Sequence, residues 1–280
     1  MWKPEHRHAA DRQGLRYPSD LTDAEWVLIE PKIPPARRGG RPRDVNVREV
    51  LNAICYVLWT GLPMESAAQG FAAEKHSAPL LHAVALGRHA GAHPPCALCR
   101  EPRAGRPGSE PERGDHRQPE RQSRSKRGSA LDPQGYDAGK KITGRKRHIL
   151  VDTLGLLLGV IVHPANMQDR DGARQVLRTA RRLFPFIERI FADAGYQGPK
   201  MEKVVADTGC WTLQIVKRSD AHRFVVLPKR WIVERTLAWI SRNRRLARDF
   251  ERYAGTVAAF IRLAMIRIML RRLARPSHCS

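Results

Sequence analysis

The sequence predicts an α/β protein, with a small helical segment ahead of a mixed-sheet core, and three observations carry that expectation. Apolar residues up to Gly61 recur at helical spacing. After Gly128, apolar runs of strand length alternate with amphipathic helical stretches. Between them, Leu62 to Arg127 holds 8 of the 20 prolines and 5 of the 11 histidines and shows no helix or strand period beyond about Leu86, so no packed element is expected there. The chain therefore divides into a flexible polar start (1–16), a helical unit (17–61), a low-order segment (62–127) and an α/β core (128–280).

Leu21 to Pro31 reads as a short helix. Thr22 followed by Glu25 makes a capping box, Trp26, Val27 and Ile29 supply apolar surface, and Pro31, Pro34 and Pro35 end it. Arg37-Arg38-Gly39-Gly40-Arg41-Pro42-Arg43 then forms a basic loop that cannot be helical, suited to phosphate contact or insertion into a minor groove. A second helix follows, with Val47, Val50, Leu51, Ile54 and Leu58 on one stripe. Two such helices need a third to pack on, which residues 62–127 would be expected to supply, so the helical unit reads as incomplete.

In the core, His148–Val151 and Leu156–Val162 are apolar runs joined by the turn Asp152-Thr153-Leu154-Gly155. Asp171–Leu183 is an amphipathic helix, and Ile187–Ala192 is a strand running straight into Asp193-Ala194-Gly195-Tyr196. Thr212–Val216 and Phe224–Leu227 are expected as short strands, Trp231–Leu246 as a basic helix carrying Glu234, and Thr256–Arg275 as a final helix.

The formal charge of +22 and pI near 10.8 favour a polyanionic partner, nucleic acid above all. Five scattered cysteines point to a reducing cytosol, and Cys96-x-x-Cys99 has no second pair to complete a metal site. The opening residues Met1 to Arg16 are polar and do not resemble a signal peptide. The apolar run Val257–Leu270 is interrupted by Arg262 and Arg267, so it is not expected to span a membrane.

Back-translation gives the odd middle segment a cause. Asp115–Gln122 can be coded so that dropping one nucleotide yields IIDSQSV, a strand ending in Asp. Gly87–Pro94 then reads DGTLERIH, and Leu62–Gly70 reads CQWRALPKD. Three sensible decodings in one frame point to a compensated frameshift that replaced about sixty residues of an otherwise intact protein.

Two acids stand out physically. Asp193 ends an apolar strand, where a sheet presents side chains to a crevice, and Glu234 is the lone acid between Pro228 and Ala247 among Arg230, Arg235, Arg242, Arg244 and Arg245. An acid inside a DNA-facing basic helix opposes phosphate unless a cation intervenes, a role that Mg²⁺ fills in two-metal phosphodiester chemistry.

At these residues the sequence resembles the DDE transposases of bacterial insertion sequences, in the insertion-sequence-5 group. The signatures are Leu21-Thr22-Asp23-Ala24-Glu25-Trp26, Gly144-Arg145-Lys146-Arg147-His148-Ile149-Leu150-Val151-Asp152, Phe191-Ala192-Asp193-Ala194-Gly195-Tyr196 and Arg230-Trp231-Ile232-Val233-Glu234-Arg235. Order and spacing agree as well as content, over residues 17–61 and 128–280. The resemblance implies an RNase H-like core and a metal-binding Asp, Asp, Glu triad on the first strand, the fourth strand and a late helix. It implies Mg²⁺ or Mn²⁺, cleavage at the element's ends, strand transfer into target DNA, and a homo-oligomer at work on the bacterial nucleoid.

Carried over residue by residue, Asp193 is the second acid and Glu234 the third, both as catalytic and metal ligands. Arg230 is the basic member of the motif around that Glu. Arg37, Arg38, Arg41, Arg43, Arg235, Arg242, Arg244 and Arg245 are expected to contact double-stranded DNA at the terminal repeats and target. Leu227 and Ser241 depart from the family pattern, with Arg242 adjacent to the latter. The first Asp has no counterpart: Asp115 lies among prolines and basic residues, Asp132 and Asp137 read as loop residues, and Asp152 fits the hairpin turn. A copy with impaired catalysis is therefore expected. The alternatives are a non-catalytic protein occupying element ends and a pseudogene product.

Overall fold

A computed structural model describes residues 11–35, 45–63, 96–102, 134–138, 141–208, 211–216 and 230–274, with the backbone alone at 96–102, 142, 208 and 230. The expected strand Phe224–Leu227 and the basic loop Arg37–Arg43 lie outside the described residues.

Helix α1 (Asp23–Ile29) begins at the expected capping box: Thr22 accepts from the Glu25 amide while the Glu25 side chain accepts from the Thr22 amide. It buries Ile29 but leaves Val27 exposed, contrary to the expectation that Val27 supplies packing surface. Helix α2 (Val47–Thr60) is capped by Asn46 and ends at Gly61, whose φ of +78° is the left-handed conformation that glycine tolerates best. Its buried face is broader than one stripe, taking in Ala53, Cys55 and Val57.

Strands β1 (Cys96–Pro102), β2 (Gly135–Asp137), β3 (Ile142–Val151) and β4 (Leu157–Pro164) lead into helix α3 (Asp169–Leu183). Then come β5 (Arg189–Ala192), α4 (Pro199–Thr208) and β6 (Thr212–Ile215), followed by helices α5 (Arg230–Ser241), α6 (Arg244–Ala247) and α7 (Ala254–Leu273). The main sheet runs β4-β3-β1-β5-β6, with β2 pairing the first residues of β3. The pairs β4–β3 and β3–β1 are antiparallel, and β1–β5 and β5–β6 are parallel. Apart from the short β2, the strands lie in the chain order third, second, first, fourth, fifth. This is the mixed sheet of an RNase H-like core with helices on both faces.

Strand β1 was not foreseen. It occupies the place of the expected missing first strand, between β3 and β5, so the interior edge of β3 is paired rather than open. Ladder bonds come from backbone groups, so a segment without apolar alternation can complete a sheet.

Alternation along β3 assigns one core to each face. Ile149 and Val151 join Val160 and Val162 of β4 in a core with α1, α2, α5 and α7. On the other face Leu150 packs with Ala173, Val176 and Leu177 of α3, Ile190 of β5, and Met201 of α4. Among the described residues, the helix on which α1 and α2 pack is α7, through buried Phe260, Ile261 and Met265, while a packing helix expected from residues 62–127 lies outside the described residues. The long basic helix expected over Trp231–Leu246 is broken at Arg242 and Asn243, where the Asn243 side chain donates to the Trp239 and Ile240 carbonyls and ends α5.

Because α2 and α7 share one core, Ile54→Ala and Ile261→Ala should each cost about 2–5 kcal/mol and lower the denaturant midpoint of a single transition seen by every probe. Two separate transitions, with only one moved by Ile54→Ala, would mean that the N-terminal helices fold apart from the sheet.

Candidate active site and nucleic-acid surface

Asp193 follows the last residue of β5 and caps a 3₁₀ turn over Ala194–Tyr196, its Oδ1 accepting from the Gly195 amide at 3.0 Å. The turn is anchored from below by Tyr196, which is fully buried and whose hydroxyl lies 3.1 Å from His148 Nδ1 on β3. His148 in turn stacks edge-on against His163 of β4, with ring centroids 4.9 Å apart. Helix α3 closes over both rings at Gly172, where a Cβ would come within 2.5 Å of His148 Nε2 and 2.8 Å of His163 Nε2. No larger residue fits there.

A second acid that the sequence reading passed over, Asp169, stands at the start of α3. It and Asp193 flank Gly195, whose added Cβ would lie 3.1 Å from Asp193 Oδ1 and 3.5 Å from Asp169 Oδ2. Lys146 of β3 binds Asp169 at 3.5 Å, Asp137 at 3.3 Å and the Met167 carbonyl at 2.9 Å. Asp137 is therefore the last residue of a strand and an ion-pair partner, not the loop residue expected. The signal for Asp169 in the sequence was its place in the first turn of an amphipathic helix, where acids favour the dipole and so attract no notice.

Glu234 is exposed on α5. That helix is seated on the β3–β4 turn: the Thr236 hydroxyl donates to the Gly155 carbonyl at 2.8 Å and Arg235 to the Leu154 carbonyl at 2.9 Å. Asp152 is fully buried in this turn, its Oδ1 accepting from the Leu154 and Leu156 amides, which bears out its reading as a turn residue. Among the described residues no set of three or more His, Cys, Asp or Glu side chains is placed to hold a metal ion. The described carboxylates thus do not assemble the expected three-acid site.

The arginines expected on DNA divide by environment. Arg242 and Arg244 are exposed. Arg245 is largely spent within the protein, paired with Glu251 at 2.6 Å and lying over the Phe250 ring. Arg235 sits over two indole rings, Trp231 at 4.4 Å and Trp239 at 4.8 Å, and burial followed by the charge of Arg272 lowers its pKa. The Arg230 side chain and Arg37, Arg38, Arg41 and Arg43 lie outside the described residues. Arg145 and Arg147 of the basic β3 motif point inward, Arg145 to Asp249 and the Glu251 and Arg252 carbonyls, Arg147 to the Leu246 carbonyl.

A family model described as "Transposase DDE domain" matches residues 112–269, more than half of the chain. The chain belongs to the DDE transposase family. A second model, described as "Putative transposase of IS4/5 family", matches residues 21–77 of this transposase. A curated relative, "Putative transposase for insertion sequence element IS402" of Burkholderia cepacia, is 33% identical over 130 residues. That match takes in 43% of this chain and spans 60% of the relative's length. Among solved structures, the Drosophila P element transposase strand transfer complex aligns at 15% identity with a TM-score of 0.29, covering 70% of this chain and 45% of that one. A superposition at that score carries no structural argument. Among the described residues of this transposase, no helix is long and apolar enough to cross a membrane.

The histidine layer under Asp193 generates a pH dependence. Burial pulls the His163 pKa below its ordinary 6.5, a backbone hydrogen bond at Gly172 offsets part of this, and the Lys146 charge adds to the lowering. As pH falls below 6.5 the unfolded chain takes up a proton that native His163 resists, so stability declines with pH until the native value is passed. Denaturation followed across this range should show that slope, and His163→Gln should flatten it. An unchanged slope in the variant would assign the titration elsewhere.

Proposed function

We propose that this DDE transposase binds double-stranded DNA, at the terminal repeats of its element and at target sites, and that this copy is impaired in end cleavage. Asp193 and Glu234 are the second and third family carboxylates in this reading, and the family's divalent ion, Mg²⁺ or Mn²⁺, is the cofactor they would help to hold. The observation that carries the impairment is the composition of β1. Leu98 pairs with Ala192, so the residue level with Asp193 on the neighbouring strand is Cys99. The strand lies ahead of residue 112, where the family match opens, and its single acid is Glu101, two positions further on. Two carboxylates are too few to share among two bridging ions, so no catalytic step is assigned to a metal here.

DNA binding rests instead on many separate arginines and is expected to survive the loss of cleavage. Each contributes through counterion release, so affinity should fall steeply with salt. Neutralising Arg41 and Arg43 together should reduce the slope of log affinity against log salt by about 2. A salt-independent affinity would defeat this electrostatic reading.

The frameshift proposal predicts that the gene, read one nucleotide later from about Gly61 to Arg127, encodes IIDSQS-like and DGTLERIH-like segments without stops. Stops there, or no such strings, would refute it. The protein as written should give no detectable Mg²⁺- or Mn²⁺-dependent cleavage of element ends. Restoring the in-frame segment with its strand-ending Asp should recover cleavage, and Asp193→Ala or Glu234→Ala should abolish it again. Efficient cleavage by the chain as written would show another acid in the vacant position, with Glu101 and Asp115 the first to replace.

A further inference from the structure

The solvent side of α3 is charged in a way that helix stability does not account for. Arg174, Arg178 and Arg182 follow one another at four-residue spacing and are exposed, opposite the side that Ala173, Val176, Leu177 and Ala180 bury. Arg170, half-buried in the first turn, continues the row toward the helix start. No acid follows Asp171 until Glu188, so the helix offers the row no partner beyond its first turn. Among the described residues, none of Arg174, Arg178 and Arg182 takes a hydrogen bond or an ion pair. Arg181 is by contrast spent: it donates to the Pro185 carbonyl at 2.8 Å and lies over the Trp211 ring.

A solvated helix face normally mixes the two signs, because like charges four residues apart repel and opposite ones attract. Helix α4, packed beside α3 on the same face of the sheet, does this: Lys200 and Lys203 are interleaved with Glu202 and Asp207, all exposed. The helix dipole explains Asp171 in the first turn of α3 and Arg182 in the last, but not Arg174 and Arg178 in the middle. Such a like-charge row gains its counter-charge from a polyanion. The row also has a defined origin. Asp169 and Arg170 open α3 against the turn after β5, where Asp169 Oδ2 lies 3.5 Å from a Cβ added at Gly195 and Arg170 Nη1 3.6 Å from one added at Gly198. It therefore starts at the sheet edge that presents Asp193 and runs back along the flank of the core.

We propose that Arg174, Arg178 and Arg182 form a phosphate track that holds duplex DNA along α3, on the flank of the core that leads away from Asp193. This rests on the reading that the protein binds DNA. From Arg174 to Arg182 the helix axis advances about 12 Å. Duplex DNA carries a phosphate every ~3.4 Å of axis on each strand, so this interval presents each guanidinium with a phosphate of the same strand. Contacts of this kind position a duplex without reading its sequence. The track lies on the opposite face of the sheet from α5 and its arginines. The core therefore offers DNA a cationic surface on both faces, with the Asp193 edge between them.

The test uses the full chain and labelled duplexes, one carrying an element end and one unrelated, read by fluorescence anisotropy over a range of salt. Arg174→Gln with Arg178→Gln should reduce the slope of log affinity against log salt by about 2, equally for both duplexes. Arg174→Lys with Arg178→Lys should keep the slope. Lys200→Gln with Lys203→Gln removes the same net charge from the neighbouring helix and should leave the slope as in the wild type. The denaturation midpoint of the arginine-to-glutamine variant should hold, since the row has no structural partner to lose. An unchanged slope in that variant, an equal fall in the lysine-to-glutamine variant, or a fall in slope accompanied by a marked fall in midpoint overturns the track and leaves the DNA-binding reading standing. So does duplex binding left intact while binding to phosphatidylserine vesicles is lost, which gives the row to a lipid surface. Failure of the wild type to bind either duplex, or a salt-independent affinity, overturns the DNA-binding reading itself.

Discussion

Burying four consecutive polar side chains in a central strand is the constraint around which this molecule is organised. Arg145, Lys146, Arg147 and His148 of β3 are each less than a tenth exposed. A charge in such a place is tolerated only with partners supplied at fixed positions, and removing one partner costs about 3–5 kcal/mol. Because side chains alternate along a strand, the demands fall on both faces at once. Arg145 and Arg147 draw the Leu246–Arg252 segment onto one face through its carbonyls and Asp249. Lys146 and His148 draw the start of α3, the end of β2 and Tyr196 onto the other. The apolar half of the strand then needs only to fill volume.

This changes how the large positive charge is understood. A net +22 suggests a surface covered in cations, yet several arginines serve as internal struts. Arg267 donates to the Ser19 carbonyl and Arg262 to the Val160 carbonyl, both from α7, and Arg12 pairs with Glu25. Arg271 is pulled down to about 10, first by burial and then by Arg267. A long guanidinium can bury its stem while its head reaches a carbonyl at an element's end. That lets α7 bury half of its twenty residues and still bind the N-terminal segment.

The parts of the fold legible in the sequence are those fixed by local chemistry. The capping box at Thr22, the stripe of α2, the Asp152 turn and the strand end at Asp193 each depend on residues a few positions apart, and each stands where expected. What could not be read was set by distant partners. Among the described side chains of helix α4, those of Met201, Val204 and Val205 are buried, too few to give a clear period. The basic run in β3 looks like a surface patch until the carbonyls that receive it are known. The spacing of Trp231, Arg235 and Trp239 was visible, but arginine in a basic helix suggests phosphate first. Only the turn seated against it shows that Arg235 is already occupied.

Both candidate carboxylates are referenced to β3, at different points along it. Asp193 is set through Tyr196 on His148, and Glu234 through Arg235 and Thr236 on the turn that follows Val151. Those anchor points, His148 on the strand and the Leu154 and Gly155 carbonyls in the turn, lie on one hairpin. The relative placement of the two acids is therefore set by β3 together with the turn that follows it. In the proposed reading, a third carboxylate completing the set would come from an element that runs alongside β3. Strand β1 is that element, paired to β3 from Val151 to Lys146 and to β5 up to Ala192. In the proposed reading, what the protein can do to a phosphodiester depends on which residues fill that strand, however well the remainder of the core is preserved.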